Sequence, residues 1–397
     1  MTRKEIIVDF FKYLDTKYDY AILHHLDEIF ETTKDIDFIV SCINKEQLLK
    51  IVKVFSNNNK RVELLNFYKI DSKIYRIDLL YFGKENIELI ELDACIYQEG
   101  QDLLSINSKR LLINKTLNKI EGYTFYKVSN ADEYEYYISK KAFKKENIKN
   151  HFNYLQNVLS SKSEEEISKV FDSKTKYFNS FYFKLKKYWN KFFLLLSRLK
   201  NKPMITIAFL GPDGSGKSTI INKLLATDFF RNKITFHLKP ITSKKEAIIV
   251  ENPHELAEYS KFVSFIKLIY FIFQYNLGWI KNILQYRIKS SLVIFDRYYD
   301  DILGDPKRYR YAGSLAMVKF IRIFIPKPDI YFILTAEANI IYARKKEVSF
   351  EELQKQIISY KKIVDNKRYF NIDVNRSPNE ISNEVIGVLL KKMQERH

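Results

Sequence analysis

Gly211-Pro212-Asp213-Gly214-Ser215-Gly216-Lys217-Ser218 is the stretch that decides how the second half of this 397-residue chain folds. It matches GxxxxGK[ST] at every fixed position. The apolar run Ile205 to Leu210 leads into it as a β-strand, and Ser218 to Leu225 leads away as a helix. Glycines let successive backbone N–H groups turn inward around a phosphate with no side chain in the way, and a helix N-terminus adds partial positive charge. Lys217 supplies a compact cation for a β- and γ-phosphate, and the Ser218 hydroxyl is a hard oxygen ligand suited to Mg²⁺. The residues expected to hold the nucleotide are Gly211, Asp213, Gly214, Ser215, Gly216, Lys217, Ser218 and Thr219.

Outward from this loop, short apolar runs alternate with helical segments. Strands are expected at Met204–Leu210, Ile234–Leu238, Ser291–Phe295, Ile330–Leu334 and Tyr369–Ile372, the pattern of a doubly wound parallel sheet in an α/β fold. A last helix is announced by Ser377 as cap, Pro378 at its first position and Glu380 closing a capping box. The strand from Ser291 ends in Asp296-Arg297, an acid placed to orient Mg²⁺ or its water and a guanidinium suited to an acceptor phosphate. The alternative for that pair is an ordinary salt-bridged strand end.

Four motifs in order, FLGPDGSGKST, FDRYY, Pro326 to Leu334, and a helix bearing Arg344-Lys345-Lys346-Glu347, resemble the thymidylate kinase family over the whole C-terminal section. The resemblance implies a P-loop kinase fold, ATP with Mg²⁺, and transfer of the γ-phosphoryl group to an acceptor near Asp296 and Arg297. It makes Lys217, Asp296, Arg297 and Arg344 the catalytic candidates, with Ser218 and Asp296 on the metal and Arg344 in a lid over the nucleotide. Lys345 and Lys346 are helpers on this view. For Arg344 and the two lysines, an exposed basic helix end is the alternative. The chain departs from the family after Arg297, where Tyr299 to Gly313 replaces the segment that helps hold thymine, and a long aromatic stretch runs from Asn252 to Trp279. It looks more like the divergent thymidylate kinase-like proteins often encoded among bacterial surface-polysaccharide genes. That implies a nucleoside monophosphate or a sugar-related phosphate as acceptor, with Arg297, Arg308 and Arg310 on its anionic group. Arg308 and Arg310 pairing with Asp300, Asp301 or Asp305 is the plainer reading.

Residues 1–145 read as a separate α+β domain, with strands at Tyr20–Leu23, Asp35–Val40, Arg61–Phe67, Ile74–Tyr81 and Ile87–Ile96 and a helix over Lys45–Phe55. Asp35 and Asp37 share one strand face, and Asp78 lies on a later strand. Three such carboxylates suit paired Mg²⁺ ions. They resemble the metal ligands of the nucleotidyltransferase superfamily, whose glycine turn is missing, since no glycine precedes Gly83. His24 and His25 stand in that region as substitutes or as structural residues. Asp35 and Asp37 capping, or pairing with lysines such as Lys34, is the competing account.

Residues 146–202 read as a helical linker to the kinase-like domain of 203–397. No acidic residue occurs between Ser173 and Pro212, where lysines interleave with Phe181, Phe183, Tyr188, Trp189, Phe192 and Phe193. Such a stripe packs on a neighbouring domain or lies on nucleic acid or an anionic membrane; the packing reading is preferred. Net charge is +18, which concentrates anions of every kind and also fits a Lys-rich composition inherited from an A/T-rich genome. Two cysteines, Cys42 and Cys95, exclude a disulfide framework and fit a cytoplasmic protein. No signal peptide is visible, and Phe262–Ile280, interrupted by Lys267, falls short of a membrane span. A homodimer is compatible with all of this. Beside the kinase stand two alternatives: a bifunctional kinase and nucleotidyltransferase, and an ATP-switched nucleic-acid- or membrane-binding protein.

Overall fold

A seven-stranded sheet in the first half of the chain and a five-stranded sheet in the second organise the backbone, beside a two-stranded ribbon in the first half. The computed structural model describes residues 2–396 apart from 32–34, 43, 84–85, 98–101, 201, 241–253 and 255, and apart from the side chains of 199 and 200. Lys34 and the start of the aromatic stretch at Asn252 therefore lie outside the described residues. The chain divides into two units, Met1–Asn201 and Lys202–Arg396.

The first unit opens with α1 (Arg3–Asp15), β1 (Tyr20–Ile22), β2 (Ile36–Val40), α2 (Lys45–Asn58), β3 (Val62–Lys69), β4 (Ile74–Phe82) and β5 (Ile87–Ile96). It continues through β6 (Asp102–Leu103), β7 (Ile106–Asn107), α3 (Ser108–Ile113), β8 (Thr116–Ile120), β9 (Tyr123–Lys127) and α4 (Asn130–Lys144). Three helices close it: α5 (Phe152–Val158), α6 (Glu164–Phe178) and α7 (Phe181–Lys200). The order β3-β4-β5-β2-β1-β9-β8 makes a mixed seven-stranded sheet. Period-two alternation splits its strands between two cores: Phe38 and Val40 pack with Phe10, Phe11 and Phe55 on one face, while Ile39 and Cys95 pack with Leu111 and Tyr136 on the other. Cys42 and Cys95 are both free and buried.

The expected helical segment is present in α5 to α7, and it is compact with the first unit. Its aromatic stripe is not buried against the first unit: Phe181, Tyr188, Trp189, Phe192 and Phe193 are all exposed. Only Phe183 of that set turns inward, onto Phe178 and Phe143.

The second unit runs β10 (Met204–Leu210), α8 (Lys217–Ala226), β11 (Asn232–His237), α9 (Lys261–Gly278), β12 (Ser291–Asp296), α10 (Asp301–Gly304) and α11 (Leu315–Ile321). It ends with β13 (Ile330–Thr335), α12 (Ala338–Arg344), α13 (Phe350–Lys361), β14 (Tyr369–Asp373) and α14 (Pro378–Gln394). All pairings in its sheet, ordered β11-β12-β10-β13-β14, are parallel. Every residue of β10 is buried, as a central strand covered on both faces requires. Met204, Ala208 and Leu210 face a core shared with Phe271 and Tyr275 of α9 and Tyr360 of α13. Ile205, Ile207 and Phe209 point to the opposite face, where α8 packs against α14. The Ser377 capping box and Pro378 start α14 as the sequence predicts.

Chain order leaves β10 in one direction toward β11 and β12 and in the other toward β13 and β14. The carboxyl end of β10 is thus a topological switch point, where open parallel sheets place their ligands. One expectation about this unit fails. The helix from Lys261 continues through a π-turn and a 3-10 turn to Tyr286, and it is long and apolar enough by length and composition to cross a membrane, where the sequence reading judged Phe262–Ile280 to fall short. Length and composition alone do not make a span, and Leu268, Phe271 and Tyr275 are part of the unit's core.

Candidate functional site

The phosphate loop hangs from the carboxyl end of β10 and is held by close backbone approach. Gly211 has φ +140°, and a Cβ there would meet the Leu334 carbonyl oxygen at 2.5 Å. Gly216, the residue before α8, sits at φ +83° with open space around it. The far end of α12 packs on the loop, since a Cβ at Gly214 would lie 3.2 Å from the Ile341 carbonyl oxygen. A cleft of about 480 Å³ opens beside the loop. Asp213, Gly214, Ser215, Gly216, Lys217, Ser218 and Thr219 line it, as do Asp296, Arg297, Arg308 and Arg344. Gly211 lies at its root, where its carbonyl accepts from Lys217 Nζ at 2.9 Å and from Arg297 Nη1 at 3.4 Å.

Lys217 also donates to the Pro212 carbonyl at 2.9 Å, so its ammonium is folded onto the loop's own oxygens. Burial, helped by the neighbouring Arg297, lowers its pKa to about 7 against the pull of Asp213, Asp301 and Asp296. Its proton is therefore weakly held until further negative charge arrives.

Asp296 ends β12 with its carboxylate facing His237 across 3.6 Å. Burial pushes its pKa up, but His237, Lys217 and Arg297 bring it below the ordinary value, so it is ionised. Its Oδ1 is buried without a hydrogen-bond partner. An ionised, unpartnered carboxylate oxygen together with the exposed Ser218 hydroxyl is an oxygen donor set that fits Mg²⁺, which takes one or two carboxylates and keeps several waters.

Arg297 follows in a left-handed conformation, φ +70°, and is 3% exposed. Its guanidinium does not reach outward for an acceptor. Nη1 donates to Asp301 at 2.7 Å and Nη2 to Asp213. Asp301 is itself buried, accepting from Tyr309 at 2.9 Å and Tyr360 at 2.7 Å. Asp213 accepts from Arg308 as well. Although burial opposes it, a hydrogen bond with Glu347 and the charges of Arg297, Lys217 and Arg308 hold the Asp213 carboxyl well below the usual carboxylate range. Glu347, its partner, is raised by the same bond.

The two other arginines separate. Arg308 reaches the cleft, and it is its backbone N–H, not its side chain, that donates to Asp305 Oδ1 at 3.2 Å. Arg310 is not among the cleft residues. It donates to the Ala257 carbonyl at 2.6 Å and stacks on the Tyr259 ring at 4.1 Å. Asp300 pairs with Arg322 instead, and Asp305 with His254 at 2.8 Å. Arg344 lines the cleft and donates to the Val374 carbonyl at 3.0 Å. Lys345 lines it too, whereas Lys346 lies 5.5 Å over the Tyr342 ring. His237 and Arg376 join the lining unannounced by the sequence reading. His237 ends β11 level with Asp296, at the same end of the sheet as the phosphate loop, a signal that could have found it.

The acids of the first unit do not form the expected metal site. Among the described residues no group of three or more His, Cys, Asp or Glu side chains is arranged to hold a metal ion. Register is the reason. Asp37 of β2 stands beside Asp93 of β5, and Asp93 stands opposite Arg76 of β4. Asp78 is two residues further along β4, opposite Glu91, and accepts from Asn66 at 3.2 Å. Arg76 rather than Asp78 thus fills the row, donating to Asp35 at 2.7 Å, to Glu91 at 2.6 Å and to Asp93. Asp37 accepts from Lys140 of α4 at 2.7 Å and faces His24 Nε2 at 2.9 Å. Burial works against its charge, yet Lys140 and His24 hold its carboxyl far below the usual range. His24 stacks on Tyr136 and His25 on Tyr154, both as packed rings. Arg76 at Asp35 and Lys140 at Asp37 stand where the sequence suggests metal ions, and Asp78 lies outside that row.

No protein-family model matches this chain, and no curated protein matches its sequence. Among solved structures, the thymidylate kinase of Ehrlichia chaffeensis is similar over 47% of this chain and 98% of its own, with 19% identity and a TM-score of 0.32. The thymidylate kinase of Candida albicans is similar over 48% of this chain and 93% of its own, with 18% identity and a TM-score of 0.35.

Proposed function

We propose that Lys202–Arg396 is a P-loop phosphotransferase that moves the γ-phosphoryl group of ATP to a small anionic acceptor. The observation that carries this reading is the pairing of two things in one cleft. One is a glycine loop with Lys217 at its centre; the other is Asp296 with a buried, unpartnered oxygen. A glycine loop alone binds phosphate, whereas an ionised acid beside it gives a place for the metal that such transfer needs.

Backbone N–H groups of residues 213–219 and the N-terminus of α8 receive the polyphosphate, and Lys217 leaves the Gly211 and Pro212 carbonyls to meet it. Ser218 and Asp296 would hold Mg²⁺, which supplies charge neutralisation on the transferring phosphates when bound. Arg344 and Lys345, at the end of α12 on the loop, place positive charge over the nucleotide. Arg297, tied to Asp213 and Asp301, is a positioning residue that fixes the loop acid. Arg308, bound to Asp213 on one side and reaching the cleft on the other, grips the acceptor's anionic group; Arg310 does not.

The acceptor is a nucleoside monophosphate or a sugar-related phosphate. Incubation with Mg-ATP and a panel of dTMP, other nucleoside monophosphates, sugars and sugar phosphates, followed by mass spectrometry, tests this. One acceptor should gain a single phosphoryl group, with no gain in Lys217→Ala. Gain of a whole nucleoside monophosphate would move the chemistry to the first unit and refute the reading.

A further inference from the structure

Helix α7 is turned inside out. At about 3.6 residues per turn, Tyr182, Leu185, Tyr188, Trp189, Phe192 and Leu196 fall, with their apolar neighbours, in one arc of roughly 160°. That arc faces outward: Tyr188 is 72% exposed, Trp189 56% and Phe192 51%. Lys184, Lys186 and Lys191 border it on both sides, and all are exposed. The inward side carries Lys187, Asn190 and Arg198 beside Phe183 and Leu194, the reverse of a helix that packs by burying its apolar stripe.

The inward attachment is specific. Arg198 donates to the Lys69 carbonyl at 2.9 Å, Lys187 sits 4.2 Å over the Phe143 ring, and Phe183 meets Phe178 edge-on at 4.9 Å. Lys187, Asn190 and Leu194 line a cavity of about 680 Å³ beneath the helix, and the exposed Lys186 and Lys191 meet it at the helix's two edges. The apolar arc is therefore held outward by contacts on its opposite side.

The rings on the arc form one patch, with Trp189, Phe192 and Phe193 at centroid separations of 5.8–6.3 Å. Carboxylates are absent from the whole stretch between Ser173 and Pro212. Aromatic residues on one side, lysines along both borders and no acids are the features of a helix lying at an anionic lipid surface. A second copy of the same helix fits less well, because it would set lysine against lysine. Single-stranded nucleic acid is bound by rings spaced along a basic groove, whereas these rings adjoin one another on a convex helix.

We propose that α7 seats the first unit on an anionic membrane. Its aromatic arc enters the boundary between headgroups and acyl chains, and Lys184, Lys186 and Lys191 reach up to lipid phosphates along their apolar stems. This does not depend on the phosphotransferase reading, and loss of ATP binding leaves it untouched.

The test uses the full chain with vesicles of phosphatidylcholine, alone or mixed with phosphatidylglycerol, some carrying brominated acyl chains. The protein should sediment with the mixed vesicles, and brominated lipid should quench its fluorescence. Trp279, the other tryptophan, donates to Tyr298 in the second unit, so Trp189→Phe should bind as well as wild type while losing the quenching. Lys184→Glu with Lys191→Glu should weaken binding by about tenfold or more. Phe192→Glu with Phe193→Glu should abolish it with the melting temperature unchanged, because both rings are solvent-facing. Four results overturn the proposal: no sedimentation with either vesicle; sedimentation without Trp189 quenching; a self-associated species that Phe192→Glu with Phe193→Glu dissolves in the absence of lipid binding; or a single-stranded oligonucleotide that displaces the vesicles.

Discussion

Replacing Gly211 by alanine tests the geometry on which the nucleotide cleft is built. Two costs add. At φ +140° an L-residue is strained, by about 1–3 kcal/mol. The new methyl would also sit 2.5 Å from the Leu334 carbonyl oxygen, a backbone atom in the adjacent strand that cannot swing aside. Forced overpacking of this kind costs about 1–3 kcal/mol more. The sum, about 2–6 kcal/mol, corresponds to a melting decrease on the order of 10 °C for a unit of this size. Gly216→Ala is the internal control. It shares the positive φ, +83°, but meets nothing within 4 Å, so only strain of about 1–2 kcal/mol remains. Differential scanning calorimetry with and without Mg-ATP reads both effects. Gly211→Ala should melt well below Gly216→Ala. It should also lose most of its nucleotide-induced stabilisation, because the displaced Gly211 carbonyl is an acceptor for Lys217 and Arg297. An unchanged melting point for Gly211→Ala, or a larger loss for Gly216→Ala, would refute the reasoning.

Further outcomes follow from the same contacts. Asp301→Asn leaves Arg297 buried with one carboxylate fewer, and should cost about 3–5 kcal/mol in a denaturant titration of the second unit. Lys217, with its pKa lowered to about 7, should take up a proton when polyphosphate arrives. The sign follows directly: above that pKa the free protein lacks the proton that the complex holds, so affinity for Mg-ATP falls as pH rises through and beyond it. The fall approaches about tenfold per pH unit. An affinity that is flat or rises over that range contradicts it. Mn²⁺ titrated in the presence of ATP should bind through the second unit, weakened by Asp296→Asn and untouched by Asp35→Asn, as electron paramagnetic resonance would show.

How far the sequence could be read depended on how local the chemistry is. The phosphate loop was legible because its glycines, Lys217 and the start of α8 act within eight consecutive residues. The strands of the second unit were legible as continuous apolar runs, and their ends moved by one or two residues. The hairpin β8–β9 was missed because only Phe125 of its ten strand residues is buried, which leaves little apolar alternation to read. Arg308 and Arg310, two apart, look like neighbours on one face. The left-handed turn at Arg310, φ +51°, sends them to different places. In the first unit the acids were visible but their partners were not. Lys140 is 103 residues from Asp37, and only the sheet register shows that Arg76 takes the row expected for Asp78. Asp93 did carry a signal, since Glu91 and Asp93 repeat the two-residue spacing of Asp35 and Asp37.

α7 carries a second lesson. Its amphipathic pattern was plain in sequence, but which side faces the protein was not, because Phe183 and Leu194 inside are outnumbered by the apolar residues outside. A periodic pattern locates the stripe; the anchoring contacts of Arg198 and Lys187 decide its direction.

The phosphotransferase reading requires that the second unit hold ATP. Equilibrium titration of the full-length protein with Mg-ATP should find a single nucleotide per chain, lost in Lys217→Ala and retained in Asp35→Asn. Binding that survives Lys217→Ala, or no nucleotide binding at all, would contradict it.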